Sequence, residues 1–548
     1  MKNKRFFFQL SLLFAVIAIL LLILWNGLGT ERERIPTLAG ESSTGVPSKI
    51  LHTETFQVTP KIPKTETLQV PPEIAAGPLF VNPENPRYFT DGTKINGKYR
   101  AIYLTGSHTW CDFMDCGTSN PPPVFDYTGF LDFLQANNLN FFRLWRAENA
   151  RGGENGDEFW FFPLPYKRSA TECCAFDNGN KFDLDKFNQD YFDRMRSRIE
   201  QAGKRGIYVS IMLFDGWSIE SKFDGHDPWK GHPYNIQNNV NGVDGDLNGD
   251  GQGGEIQTLA NSQILALEEA YLRKVIDTVN DLDNVLYEIS NEGSGNEENT
   301  SWQYHMITYI KHYEATKAKQ HPVGMTVQYP GGSNEALFAS PADWISPNGD
   351  VEDPPVVDGS KVVLYDTDHL CGYCSDRQWV WKSFTRGGNP IFMDPYSDMQ
   401  IGRGAPSGYD PNNPTDENLR LNLGYTHTYA DKMNLTGMIP HTKLCSTGYC
   451  LANNVLPGTE YLVYLPSGDT VDKILNRLGI SRKLNLPLPS EDTIEVDLTG
   501  SPIKLSVEWF NPANGAIIDA RSVQGGVVQT FSAPFLGDAV LYLHASVP

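Results

Sequence analysis

Between residues 99 and 396 short apolar runs alternate with longer polar stretches. The runs are "YRAIYLTGS" (99–107), "LNFFRLWRA" (139–147), "GIYVSIMLF" (206–214), "NVLYEISNE" (284–292), "HPVGMTVQYP" (321–330), "ADWISPN" (342–348), "KVVLYDTDHL" (361–370) and "NPIFMDPY" (389–396). Their length and their β-branched and aromatic content predict buried strands. Between several of them apolar residues recur three and four apart, which predicts helices. These are "YTGFLDFLQANN", "FNQDYFDRMRSRIEQAGKRG", "LALEEAYLRKVIDTVNDL", "SWQYHMITYIKHYEATKAKQ" and "SDRQWVWKSFTRGG". The gap between the sixth and seventh runs carries no helical pattern. Eight strands alternating with helices over about 300 residues predict an α/β architecture, a (β/α)₈ (TIM) barrel. An open doubly wound sheet would give a similar rhythm, but no Gly-rich nucleotide turn follows the first run.

The pattern changes after residue 455. "TEYLVYLP", "DTIEVDLTG", "IKLSVEWFNP", "GVVQTFSAP" and "GDAVLYLHA" are short strands set apart by turn residues, which predicts a small C-terminal β-sandwich over 455–548. The barrel domain is then 78–454. At the other end, positive charges precede an apolar run from Phe6 to Trp25, long enough to span a bilayer. "WNGLGTERER" offers no small-x-small cleavage site, so residues 1–29 read as a membrane signal anchor, with a cleaved signal peptide as the alternative. Residues 30–77, rich in Thr, Pro, Glu and Ser, read as an extended linker. Either reading of the first segment exports the rest, to a membrane-anchored or a secreted destination.

Composition narrows the partners. The 548 residues are 40% hydrophobic and 11% aromatic, enough for a large core, and the formal net charge is −21. Without a basic stripe, nucleic acid is excluded as a partner. The eight cysteines fall in four close pairs, 111/116, 173/174, 371/374 and 445/450. All lie in predicted loops, where an oxidising compartment favours disulfides, with connectivity left open. "CGYC" lacks the second Cys-x-x-C of a zinc ribbon and any thioredoxin-like context.

In such a barrel the C-terminal ends of the strands build the active site. Those ends bring His108 and Trp110, Arg143 and Arg146, Asp215 and Trp217, Asn291 and Glu292, Asp366, Asp368 and His369, and Asp394. Aromatic faces stack on sugars, and carboxylates and arginine bind hydroxyls. Glycosidic cleavage needs two carboxyls flanking the bond, and Glu292 with Asp368 supplies such a pair. Asp366 shares the inward face with Asp368 and competes for the second role. In "YEISNE" the same alternation puts Glu288, Ser290 and Glu292 on one face. Predicted substrate-binding residues are His108, Trp110, Arg143, Trp217, Asn291, His369 and Asp394. Trp217, Trp229 and Tyr234 also suit packing of the long loop after the third strand.

"YEISNE" resembles the fourth-strand signature of the clan A glycoside hydrolases, the cellulase-like retaining barrels. "TGSHTW", "YEISNE" and "VEWFNPANGAI…SAPFLGDAVLYL" together are similar to the apiosidase-like, DUF4038-type barrels that end in a collagen-binding-type β-domain. This resemblance, over roughly residues 78–548, implies hydrolysis of an O-glycosidic bond in an extracellular carbohydrate. It makes Glu292 the acid/base and Asn291 the holder of the sugar 2-hydroxyl. Where the clan carries a nucleophilic Glu on the seventh strand, this chain reads "DTDHL". The shorter Asp368 implies either a deeper-seated sugar, or a water-activating base and inversion. A non-catalytic glycan-binding protein on the same scaffold is the first alternative. A metal-dependent hydrolase using "DTDH" and His108 is the second.

Catalysis of this kind requires no cofactor. A structural ion is a separate matter: "DGDLNGDGQGGE" matches the calcium-loop template, with Asp244, Asp246, Asn248, Asp250 and Glu255 as oxygen ligands. An ion-free Gly/Asp/Asn turn is the alternative. Oligomeric state is not readable from the sequence.

Overall fold

A computed structural model of the protein describes residues 75–153, 156–222, 226–396, 414–467 and 493–545. Eight parallel strands follow one another round a closed barrel: β1 (Gly106–His108), β2 (Phe141–Leu144), β3 (Tyr208–Asp215), β4 (Val285–Asn291), β5 (Val323–Thr326), β6 (Trp344–Ser346), β7 (Val362–Asp366) and β8 (Asn389–Met393). β8 pairs with β1, which pairs with β2, and so closes the ring. The first apolar run meets its strand only at its end. Its earlier residues, Ile102 and Leu104, instead join Leu79 and Phe89 under the barrel floor. Above them Phe141, Tyr208, Leu286, Trp344 and Leu364 fill the lower interior. Gly324 makes room there, because a Cβ would fall 1.9 Å from the Trp344 ring.

Helices α1 (Tyr127–Ala136), α2 (Gln189–Gly203), α3 (Ser262–Val279), α4 (Glu297–Glu314) and α5 (Asn334–Ala339) follow the first five strands. None joins β6 to β7, as the sequence indicated. α6 (Arg377–Thr385) precedes β8 and α7 (Pro414–Lys432) follows it. α7 escapes the periodicity reading because its inner face is partly polar. Asn422 and Thr426 are buried there, accepting from Trp381 Nε1 (2.8 Å) and the Tyr103 hydroxyl (3.1 Å).

The C-terminal part is β9 (Met438–Pro440), β10 (Cys450–Asn453), β11 (Glu460–Leu465), β12 (Thr493–Asp497), β13 (Lys504–Phe510), β14 (Ile517–Gln524), β15 (Val528–Ser532) and β16 (Ala539–Ala545). Six of these form one antiparallel sheet in the order β9-β10-β11-β16-β13-β14, and β12 pairs with β15. The sheet therefore starts ahead of the residue-455 boundary, at strands too short to read as a pattern. Its two faces divide the side chains by alternation. Tyr461, Val463, Val507, Trp509 and Leu541 pack on Ile494, Val496 and Phe531 of the β12–β15 ribbon. Leu462, Tyr464, Phe510, Val540 and Tyr542 cover Trp381, Phe384 and Tyr429 on α6 and α7. Arg377 adds a bidentate pair to Asp538 (2.7–3.0 Å). The sheet thus completes the barrel's core. A chain ending at residue 437 is expected to expose those aromatics and to aggregate. A soluble monomer with one sharp thermal transition, read by size-exclusion and melting, would contradict this.

Disulfides join Cys111–Cys116, Cys173–Cys174, Cys371–Cys374 and Cys445–Cys450. The predicted signal anchor and the linker up to residue 74 lie outside the described residues. Among the described residues no helix is long and apolar enough to cross a membrane.

Candidate active site

β3 and β7 end the same way, each in an aspartate that caps a single 3₁₀ turn. Asp215 accepts from the Trp217 amide at the start of Gly216–Ser218, and Asp366 from the Asp368 amide at the start of Thr367–His369. These turns swing Trp217 and Asp368 over the barrel mouth. Between them β4 is followed directly by Glu292, whose backbone takes φ +44°, a left-handed conformation that side chains with a Cβ avoid. The fit is close: a Cβ on Gly216 would lie 2.2 Å from the Glu292 carbonyl oxygen, so only glycine lets the two loops meet.

The strict alternation expected along β4 fails at this point. Glu288 and Asn291, three residues apart, both accept from Arg143. Ser290 instead meets Gln257 from the loop outside, at 3.3 Å. The pairing register with β3 is unbroken from Val209↔Val285 to Asp215↔Asn291, so it is the side-chain alternation that changes, turning Asn291, rather than Ser290, to the interior.

Arg143, only 2% exposed, is the hub beneath the mouth. It donates to both Glu288 oxygens (2.8 and 2.6 Å), to Asn291 Oδ1 (2.7 Å), to Asp366 Oδ2 (3.2 Å) and to Asp368 Oδ2 (2.7 Å). His108 Nε2 meets the other Asp366 oxygen at 2.9 Å and its ring stacks on Trp145. Burial by itself would raise Asp366, but His108 and Arg143 outweigh it and hold this carboxyl well below the usual range. Glu292 stands in the opposite condition. Burial first, then the charge of Asp368, push its carboxyl up to about 8, against a hydrogen bond donated by Trp217 Nε1.

Above this layer opens a cavity of about 820 Å³, in the size range of small-molecule sites. Glu292, Asp368 and Asp215 reach it, with Trp110, Trp217 and His369 from the predicted set. His369 is held by Ser346 Oγ (2.7 Å), and burial, with Arg143 nearby, lowers its pKa and keeps the ring neutral. The aromatic walls also include residues the sequence reading passed over. Trp145 lies 6.1 Å from Trp110, Tyr373 lies 6.4 Å from Trp110, and Tyr329 stacks on Trp217 at 6.2 Å. Trp145 and Tyr373 had a usable signal, since each sits beside a predicted strand end. Tyr329, at the end of the fifth run, had the same one.

Four predicted substrate-binding residues do not line the cavity. His108, Arg143 and Asn291 sit in the layer below, occupied by one another and by the carboxyls. Asp394 is turned outward, because Arg420 on α7 grips both its oxygens (2.7 and 2.8 Å) and Ser107 donates to one of them. Asp366, proposed as the alternative second carboxyl, is likewise below the cavity floor. Asp394→Asn is expected to lower stability by about 3 kcal/mol, as for a buried ion pair broken on one side, with KM unchanged. Chemical denaturation and initial-rate kinetics check both halves. Trp229 and Tyr234 are buried packing residues of the long loop.

In the Asp244–Glu255 loop the acidic oxygens face inward on the loop itself. Asp246 accepts from the amides of Gly249, Asp250 and Gly251, Asn248 and Asp250 each accept one more, and Glu255 accepts from Asn248. Among the described residues no group of His, Cys, Asp and Glu is arranged to hold a metal ion.

The closed eight-stranded parallel barrel is a TIM-barrel fold, which this chain shares with solved glycoside hydrolase structures. A family model described as "Domain of unknown function (DUF6298)" matches residues 146–330. One similar solved structure is a glycoside hydrolase, 13% identical, with TM-score 0.50, the alignment covering 86% of this chain and 97% of that one. Another is a glycoside hydrolase family 5 protein from Bacteroides vulgatus ATCC 8482, 13% identical, TM-score 0.51, covering 86% and 93%. A third similar structure, from the same organism as the second and described as "a putative glycoside hydrolase", is 11% identical with TM-score 0.51, covering 86% and 82%. No curated protein matches the sequence.

Proposed function

We propose that the protein is a glycoside hydrolase in which Glu292 is the general acid/base and Asp368 the second carboxyl, acting on a poly- or oligosaccharide outside the cytoplasm. The observation that carries this reading is the pairing in one cavity of a carboxyl pushed up to about 8 with a second carboxyl anchored by an arginine. A leaving glycosidic oxygen needs a proton donor that still holds its proton near neutral pH, and Glu292 meets that need. Asp368, fixed by Arg143, then attacks the anomeric carbon or activates water. In the first case a covalent glycosyl ester forms and Glu292 returns as base; in the second Asp368 takes the water proton in one step. Trp217 sets the Glu292 side chain, and Trp110, Trp145 and Tyr329 offer faces on which sugar rings stack.

The test is a panel of aryl glycosides and neutral polysaccharides, assayed for released phenol or reducing ends with the native protein, Glu292→Gln and Asp368→Asn. Hydrolysis by the native protein and its loss in both variants supports the reading. Hydrolysis that survives Glu292→Gln would refute it. Glycan retention with no cleavage by the native protein would instead favour a binding protein on this scaffold.

A further inference from the structure

We propose that Asp215, not Asn291, receives a substrate hydroxyl beside Glu292. This rests on the glycosidase reading above and assigns within it a residue the family resemblance does not supply. Asn291 is fully buried and turned into the charged layer below the cavity. Its oxygen accepts from Arg143 at 2.7 Å, and its nitrogen donates to Asp215 Oδ1 at 3.4 Å. It does not line the cavity, so a sugar bound there would not meet it. Asp215, one strand over, does reach the cavity.

The carboxyl is held by a closed loop of hydrogen bonds behind the cavity wall. The Asp215 amide donates to Glu148 Oε1 (2.8 Å), the Glu148 amide to Ser218 Oγ (2.9 Å), and Ser218 Oγ to Asp215 Oδ2 (2.7 Å). Glu148 is fixed in turn by Arg146 at 3.1 Å, with His232 3.6 Å away. That scaffold leaves Asp215 Oδ1 with two long contacts, the Asn291 one and the Trp217 amide at 3.3 Å. An oxygen so weakly engaged, on a buried side chain facing the cavity, has capacity for a further donor. Burial, with the Glu148 charge adding to it, pushes this carboxyl up to about 7, so a hydroxyl bound there would replace lost solvation.

The competing account is structural: Asp215 caps the 3₁₀ turn and does nothing else. Asparagine caps as well as aspartate, so Asp215→Asn separates the two. On whichever panel glycoside the native protein cleaves, Asp215→Asn is expected to lose about 10- to 100-fold in kcat/KM, the range for a hydrogen bond to a charged group. The melting temperature is expected to stay within a few degrees. In the Glu292→Gln background, glycan affinity should fall by a similar factor on adding Asp215→Asn. Ser218→Ala, which loosens the same carboxyl without removing it, should show a smaller loss. A kcat/KM within twofold of native in a normally folded Asp215→Asn protein would overturn the proposal. Absence of any cleavage or binding by the native protein would overturn this assignment together with the glycosidase reading. Cleavage that depends on Glu292 and is indifferent to Asp215 would overturn this assignment alone.

Discussion

Glu292→Gln is expected to cost hydrolysis about 10²- to 10⁴-fold, the range for a general acid, and at the same time to make the protein more stable at neutral pH. The two effects share a cause. A carboxyl raised from 4.5 to about 8 on folding binds its proton more tightly in the native state than in the unfolded one. Across that window the native protein holds the extra proton, so stability falls as pH rises and is fully restored only below about pH 4.5. Glutamine never ionises, and its carbonyl keeps an acceptor for Trp217. Each unit of removed shift is worth about 1.4 kcal/mol, so a gain of a few kcal/mol at pH 8 is expected, read as a higher denaturation midpoint. At pH 4 the two proteins should melt together. The same proton gives kcat/KM an alkaline limb near pH 8. A variant that is inactive but equally or less stable at pH 8 would mean that Glu292 is not held protonated by its surroundings.

Arg143→Ala is the second large effect, and it is expected to damage fold and function together. The guanidinium is shared by Glu288, Asp366 and Asp368, so its removal leaves three carboxyls crowded round a buried gap. Breaking one buried pair costs about 3–5 kcal/mol, and a hub serving several carboxyls should lie at or above the top of that range. Arg143→Lys tests the geometry separately. A lysine brings the charge but cannot reproduce the two parallel bonds to Glu288 while also reaching Asp368. Its folding should be partly rescued, with turnover still reduced at least tenfold, as for a misplaced second carboxyl. Urea midpoints and single-substrate kinetics separate these outcomes. Near-native stability in Arg143→Ala would show that the carboxyls do not depend on this cation.

The site residues were visible as a population and not as an arrangement. Strand ends in a (β/α)₈ pattern gather at one face, so Glu292, Asp368, Trp110 and Trp217 could be collected from the sequence. Depth could not. Whether Asp366 or Asp368 meets the cavity depends on one 3₁₀ turn, and whether Asn291 or Asp215 does depends on a break in side-chain alternation at the end of β4 that apolar periodicity does not encode. Asp394 shows a further limit: its partner, Arg420, sits on a helix whose half-polar inner face hid it.

What the sequence determined by itself was the local repeat. Apolar runs of strand length, separated by helical periodicity, admit few closed arrangements, and burial of those runs enforces the barrel. What only the tertiary structure decided was the pairing of charges. Arg143, Glu288, Asp366 and Asp368 come from three strands and the turn after one of them, up to 225 positions apart, and a buried charge takes whichever partner geometry brings within about 3 Å. That choice put Asp366 below the floor, left Asp368 at the cavity and raised Glu292, because the energy of a buried charge depends on distances that sequence order does not contain.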